Sequence, residues 1–224
     1  MIASSKQLIK NMAIFTMMAA LPSCSVFGPV KTEPPTTYIL SATANVHIKK
    51  SRRQINIYVA PITANSLYDT TEIAYSTKPY QVDYYVKNQW ADSPARMLRP
   101  LIIKTLQNTR YFHLVTSNSG IGIFNYILNV ELVELRQVFS GNSNTIHFSM
   151  NAELISTQAS KVIATKQITV TEPVSMMKPY AAVMAANRAV TRGLGILAKF
   201  SLIADYNEKL MNTKIKNNRP VKTN

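Results

Sequence analysis

Ile146-His147-Phe148-Ser149-Met150-Asn151-Ala152-Glu153-Leu154 puts its apolar side chains on one side of an extended chain and its polar ones on the other. A period of two marks a strand with one face buried and one face wet. Upstream, Asn125–Phe139 reads as a long strand, joined to the first by Gly141-Asn142-Ser143-Asn144 as a turn. In it Leu128, Val130 and Leu132 share a face while Val133 and Leu135 fall on the other, a change of phase that predicts a β-bulge. Downstream, a turn near Gln158–Ser160 leads into Val162–Thr171. The three segments form a predicted antiparallel meander.

Farther out, Val183, Val190, Leu194 and Leu197 form a helical stripe over Pro179–Phe200, beside a band of small residues, Ala182, Ala185, Ala186, Ala189 and Gly193. Small residues let a helix axis approach a sheet closely, although Gly193 and Gly195 each cost about 1 kcal/mol of helix propensity. On the N-terminal side, Ile55–Val59, Tyr80–Val86 and Phe112–Val115 read as strands, with Val82, Tyr84 and Val86 sharing a side. Ser93-Pro94 supplies an N-cap and a first-turn proline for a helix whose face is Ala95, Leu98, Ile102 and Leu106. Pro100 inside that helix predicts a kink or a restart. The expected fold class is α+β: a two-layer domain, helices on one face of a mainly antiparallel sheet.

The N-terminus has a different character. Lys6 and Lys10 precede an uncharged apolar run, Met12–Leu21, which as a helix reaches about 15 Å, half of a hydrocarbon core of about 30 Å. It reads as an export signal, not a span. Leu21-Pro22-Ser23-Cys24 resembles a bacterial lipobox, which makes Cys24 the expected lipidation site, carrying diacylglycerol and acyl chains. The competing reading is an ordinary signal peptide with an incidental cysteine. Cys24 is the single cysteine and has no internal disulfide partner, so conversion to a thioether would remove an exported free thiol. Three acyl chains would exceed the two signals needed for firm anchoring. Ser25, rather than Asp, after the cysteine favours the outer membrane by resemblance to enteric sorting rules.

The expected organisation is therefore a signal peptide over 1–23, a flexible Pro-containing linker over 24–37, one domain over 38–204 and a basic disordered tail over 205–224. The full chain carries a formal charge of +14, and loss of Lys6 and Lys10 with the signal lowers this by two. Anionic headgroups, lipopolysaccharide phosphates or peptidoglycan carboxylates are the natural counter-charges for an exported chain, nucleic acid is not, and a merely solvated basic surface is the bland alternative. Lys209, Lys214, Lys216, Arg219 and Lys222 place part of the charge in the tail, where contact with anionic lipid is an expectation.

Ile73-Ala74-Tyr75, Tyr80-Gln81-Val82 and Asn88-Gln89-Trp90-Ala91-Asp92-Ser93-Pro94-Ala95-Arg96-Met97-Leu98 resemble the signature of ABC-type transport auxiliary lipoproteins, as do Tyr38-Ile39-Leu40 and Ala186-Asn187-Arg188-Ala189 within Ala181–Leu197. The resemblance implies a non-catalytic lipoprotein accessory to an MCE-type ABC transporter. Its expected partners are a periplasmic MCE-domain protein and the permease and ATPase complex, with a homo-oligomer also compatible. The expected location is the periplasmic face of the outer membrane, the inner membrane being the lesser alternative. A structural or regulatory lipoprotein binding peptidoglycan or a cell-wall synthase is the second function class.

A search for chemistry finds no P-loop, no H-E-x-x-H helix and no G-x-S-x-G elbow, so the chain is not the ATPase. Gly120-Ile121-Gly122 precedes a strand and reads as a turn. His47, His113 and His147 lie far apart in sequence and read as solvated or capping residues, with no metal and no catalytic residue expected. Trp90 is either an exposed partner anchor or a packing staple. Tyr75, Tyr80, Tyr84 and Tyr85 are either an aromatic groove for acyl chains or ordinary sheet residues.

Overall fold

The computed structural model describes residues 33–46, 51–176 and 178–217. They belong almost wholly to one compact unit that begins at Pro35. Cys24, the signal segment, His47 and the final residues 218–224 lie outside the described residues.

The elements in chain order are β1 (Thr36–Tyr38), β2 (Asn56–Val59), β3 (Thr63–Ala64), β4 (Glu72–Ser76), β5 (Asp83–Trp90), α1 (Pro94–Asn108), β6 (Leu114–Thr116), β7 (Tyr126–Ser140), β8 (Ser143–Ser156), β9 (Lys161–Pro173) and α2 (Pro179–Asn217). The fold is α+β. Its centre is the expected meander, β7 paired antiparallel with β8 and β8 with β9. The register slips between Leu132 and Glu134, so the bulge falls at Val133. One extra residue returns Leu135 to the face of Leu128, Val130 and Leu132, and all four are buried. Opposite them on β8, Ile146, Phe148, Met150, Ala152 and Leu154 are buried too.

The other edge of β7 is covered piecewise. Residues 126–128 pair with β2, 131–132 with β3 and 136–138 with β4, each in parallel. The nine-stranded sheet is therefore mixed: its long ladders are antiparallel and its short ones, apart from β4 with β5, are parallel.

Both helices join the same hydrophobic cluster as the buried face of β7 and β8. In α1, Ala95, Leu98, Ile102 and Leu106 are buried as expected. Ser93 has the extended N-cap backbone, but its hydroxyl makes no capping bond and is buried without a partner. The helix neither stops nor restarts at Pro100, which lies on its exposed side. Gly193 of α2 lies against β8: a Cβ there would stand 2.4 Å from Phe148 Cε1. The small-residue band thus sets the distance between helix and sheet.

Three expectations are corrected. α2 does not end at Phe200; it continues to Asn217, so 205–217 is helical rather than disordered. The stripe persists through the buried Ser201, Leu202, Ala204 and Asp205, and polar residues at core positions hid it in the sequence. The strand expected over Tyr80–Val86 is Asp83–Trp90, because Pro79-Tyr80 forms a turn with Tyr80 at φ 65°. Finally, Thr36 and Thr37, expected in the linker, pair with Asn88 and Gln89 of β5.

Candidate functional site

Three of the quoted motifs, Tyr38-Ile39-Leu40, the residues around Trp90 and those around Asn187, are far apart in sequence and meet where the described chain enters the domain. β1 is only three residues long and gains its hydrogen bonds by lying parallel to Asn88–Trp90. Just beyond both strands, Ala91 N–H donates to Tyr38 O at 2.7 Å. After β1 the backbone is irregular, and irregular backbone must find other partners when it is covered. Asn187 on α2 supplies them. Its Nδ2 donates to Ile39 O at 3.1 Å, and its Oδ1 accepts from Ser41 N–H at 2.9 Å and Ala42 N–H at 3.4 Å. On the other side, Ala44 N–H donates to Thr105 Oγ1 of α1 at 3.3 Å. Leu40 and Ala44 are buried, so the entry segment is wedged between the two helices.

Arg188, next to Asn187, fastens α2 to the end of β9. Its Nε lies 2.9 Å from Glu172 Oε1 and its guanidinium also donates to Pro173 O at 2.8 Å. Arg192, one turn on, donates to the other Glu172 oxygen at 2.7 Å. The bond from Arg188 holds the Glu172 carboxyl below its ordinary range against the opposing effect of burial, and Arg192 adds to it. In the β5–α1 turn, Arg96 donates to Asp92 at 2.6 Å and lowers that exposed carboxyl in the same way. Asn187 and the backbone after Trp90 therefore position the entry segment, while Arg188 fastens α2 beside them.

At the entry segment Ile39 and Tyr180 are exposed, and Tyr180 rests its ring 6.4 Å from that of Tyr38. Trp90 is not part of that surface. It is 3% exposed and belongs to the core, so the staple reading holds and the exposed-anchor reading does not. The tyrosines do not form a groove together. Tyr75 packs on Tyr85 at 4.8 Å, Tyr85 donates to Gln137 Oε1 at 2.8 Å, Tyr84 donates to Leu67 O at 3.1 Å, and Tyr80 stands alone at the exposed turn.

Sequence reasoning missed a second cluster, at the far end of α2. Asp205 is 2% exposed and accepts from Tyr111 Oη at 2.6 Å and Tyr126 Oη at 2.9 Å, with Arg53 at 4.0 Å. Tyr126 Oη also lies 2.6 Å from Glu208. Burial, reinforced by the Asp205 carboxylate, pushes the Tyr111 hydroxyl up to about 12; burial and Glu208 raise Tyr126 as well. The cluster latches the helix extension to β7 and lines one wall of a polar cleft of 640 Å³. The available signal was the recurrence of Leu194, Ala198, Ser201 and Asp205 at helical spacing.

Among the described residues, no three His, Cys, Asp or Glu side chains converge on one point, and no helix is long and apolar enough to cross a membrane. His113 is engaged through its backbone, and His147 Nδ1 lies 3.8 Å from a Glu134 oxygen that Arg136 also holds. Gly120–Gly122 lies in the turns before β7, with Gly122 at φ 76°.

The fold recurs among solved structures. Protein XCC0632 from Xanthomonas campestris is 19% identical with a TM-score of 0.72, over 78% of this chain and 99% of that one. An uncharacterized protein is 15% identical with a TM-score of 0.61, over 75% of this chain and 98% of that one. Comparison with curated proteins gives no match. The family described as ABC-type transport auxiliary lipoprotein component matches residues 38–194, from the first residue of the Tyr38-Ile39-Leu40 motif through the Asn187-Arg188 clamp, and the chain belongs to that family.

Proposed function

We propose that this auxiliary lipoprotein is a non-catalytic accessory of an MCE-type ABC transporter that moves phospholipids or other lipids across the periplasm. It is held at the periplasmic face of the outer membrane by acyl chains on Cys24, and its partners are the MCE-domain protein and, through it, the permease and ATPase.

One observation supports this reading beyond the family: Tyr38-Ile39-Leu40, the residues around Trp90 and Asn187 converge on the entry segment. Asn187, the turn after Trp90 and α1 hold residues 38–44 by hydrogen bonds from two helices and a strand. Such a root transmits the position of a membrane anchor to the whole domain.

The test has two arms. Cys24→Ala should leave an unprocessed precursor that takes up no radiolabelled palmitate; efficient processing and membrane retention of that variant would remove the anchor. Photoreactive residues at Tyr180, beside the root, and at Tyr80, on the exposed turn, should crosslink to an MCE-domain protein in the intact envelope. Capture of a cell-wall synthase with no MCE protein would transfer the assignment to envelope regulation.

A further inference from the structure

Beyond the latch, α2 and the edge strand β9 enclose an apolar groove of 340 Å³ lined by Ala164, Ile196, Phe200, Ile203 and Ala204, with Lys166, Lys199 and Asn207. We propose that it binds one acyl chain of an anionic phospholipid, whose phosphate is held by Lys166 and Lys199. This site deepens the lipid-transport reading and rests on it for the source of its ligand.

The groove exists because α2 has two apolar flanks. Leu194, Leu197, Ala198 and Leu202 face the sheet and are buried. Ile196, Phe200 and Ile203 turn to the side, where the N-terminal half of β9 covers them only partly. Ile203 remains 57% exposed. Leaving a branched aliphatic side chain partly in water forgoes part of its burial gain, and an apolar ligand in the groove would recover some of it. Among the described residues no strand pairs with the outer edge of β9, so the groove opens on that side.

The chemistry of the lip selects the ligand. Both lysines contribute their aliphatic stems to the wall, and such side chains keep the ammonium in water at the rim. No acidic residue lines the groove. An apolar trough with a cationic lip is complementary to an amphiphile with an anionic head. The volume lies at the low end of the range of about 300–1,000 Å³ for small-molecule sites, which suits one chain rather than two. Asn207, nearly one turn past Ala204 at the same mouth, offers an amide to a glycerol or ester oxygen.

The test is a titration of the full-length protein with pyrene-acyl phosphatidylglycerol and with its phosphatidylcholine counterpart, each below its aggregation concentration. The wild type should saturate with phosphatidylglycerol and bind it about tenfold more tightly than phosphatidylcholine. Ile203→Glu alters an exposed position, so the fold should survive, and it should weaken both lipids at least about tenfold. Lys166→Glu with Lys199→Glu should remove the preference for phosphatidylglycerol while leaving phosphatidylcholine near its wild-type affinity. No saturable binding by the wild type, or binding unchanged in Ile203→Glu, overturns the site. A dimer in sedimentation that Ile203→Glu dissolves, without lipid binding, would give the groove to a second copy and overturn it equally. Lipid binding that persists while the Tyr180 and Tyr80 crosslinks find no MCE protein keeps the site and removes the transport reading; the converse removes only the site.

Discussion

Gly193→Ala tests whether α2 lies where the small-residue band requires. The new methyl carbon would stand 2.4 Å from Phe148 Cε1 and 3.0 Å from Cδ1. Non-bonded carbons prefer about 3.5–4.0 Å, so helix or ring must yield by about 1 Å. Phe148 is 0% exposed, locked between the helix and its β7 and β9 neighbours, and has no open space into which to swing. Overpacking of this kind costs about 1–3 kcal/mol, and the short approach places it near the upper figure. Against it stands about 1 kcal/mol of helix propensity gained when glycine becomes alanine. The net loss is about 2 kcal/mol, or roughly 4–8 °C in Tm for a domain of this size. Gly195→Ala is the control. Its methyl would meet Ala44 Cβ at 3.6 Å, an ordinary contact, so the propensity gain survives and Tm should rise by roughly 2–4 °C. The assay is thermal and urea unfolding of the purified protein, with the urea m-value checked for constancy. Phe148→Leu combined with Gly193→Ala should cost at least about 1 kcal/mol less than the sum of the two single changes. Stabilisation by Gly193→Ala equal to that by Gly195→Ala would refute the close packing of α2 on β8.

Asp205→Ala leaves the buried hydroxyls of Tyr111 and Tyr126 without their shared acceptor, and should lower stability by about 3 kcal/mol; a change under about 1 kcal/mol in urea unfolding would show that the helix extension is not latched to the sheet. Glu172 gives an acid limb. Arg188 depresses its native pKa below the usual 4.5, so its contribution to stability is fully present above that value and is lost as pH falls through the native pKa. The Tm gap between wild type and Glu172→Gln should therefore narrow as pH drops below 4.5, and a gap that stays constant would show that the carboxylate is not stabilised by its two arginines.

The periodicity of the chain determined the meander, the bulge at Val133, the buried face of α1 and the α+β class, because each depends on which side of a local element a residue faces. A period of two or of 3.6 records that directly. Trp90 shows where such reasoning stops: its neighbours placed it at a turn, and only the packing of β1, β4 and α2 around it decided that it is buried. β1 and β3 are two or three residues long, too short to carry a period, and exist because β5 and β7 offer them an edge. Asp205 reads as the first residue of a polar tail. It is a core residue because Tyr111 and Tyr126, dozens of positions away, bring their hydroxyls to it, and burial of a carboxylate depends on partners that no local pattern displays. The same holds for the entry segment. Asn187 and Ile39 are 148 positions apart, and a hydrogen bond across that separation is set by how the helices close over the sheet rather than by anything written beside either residue.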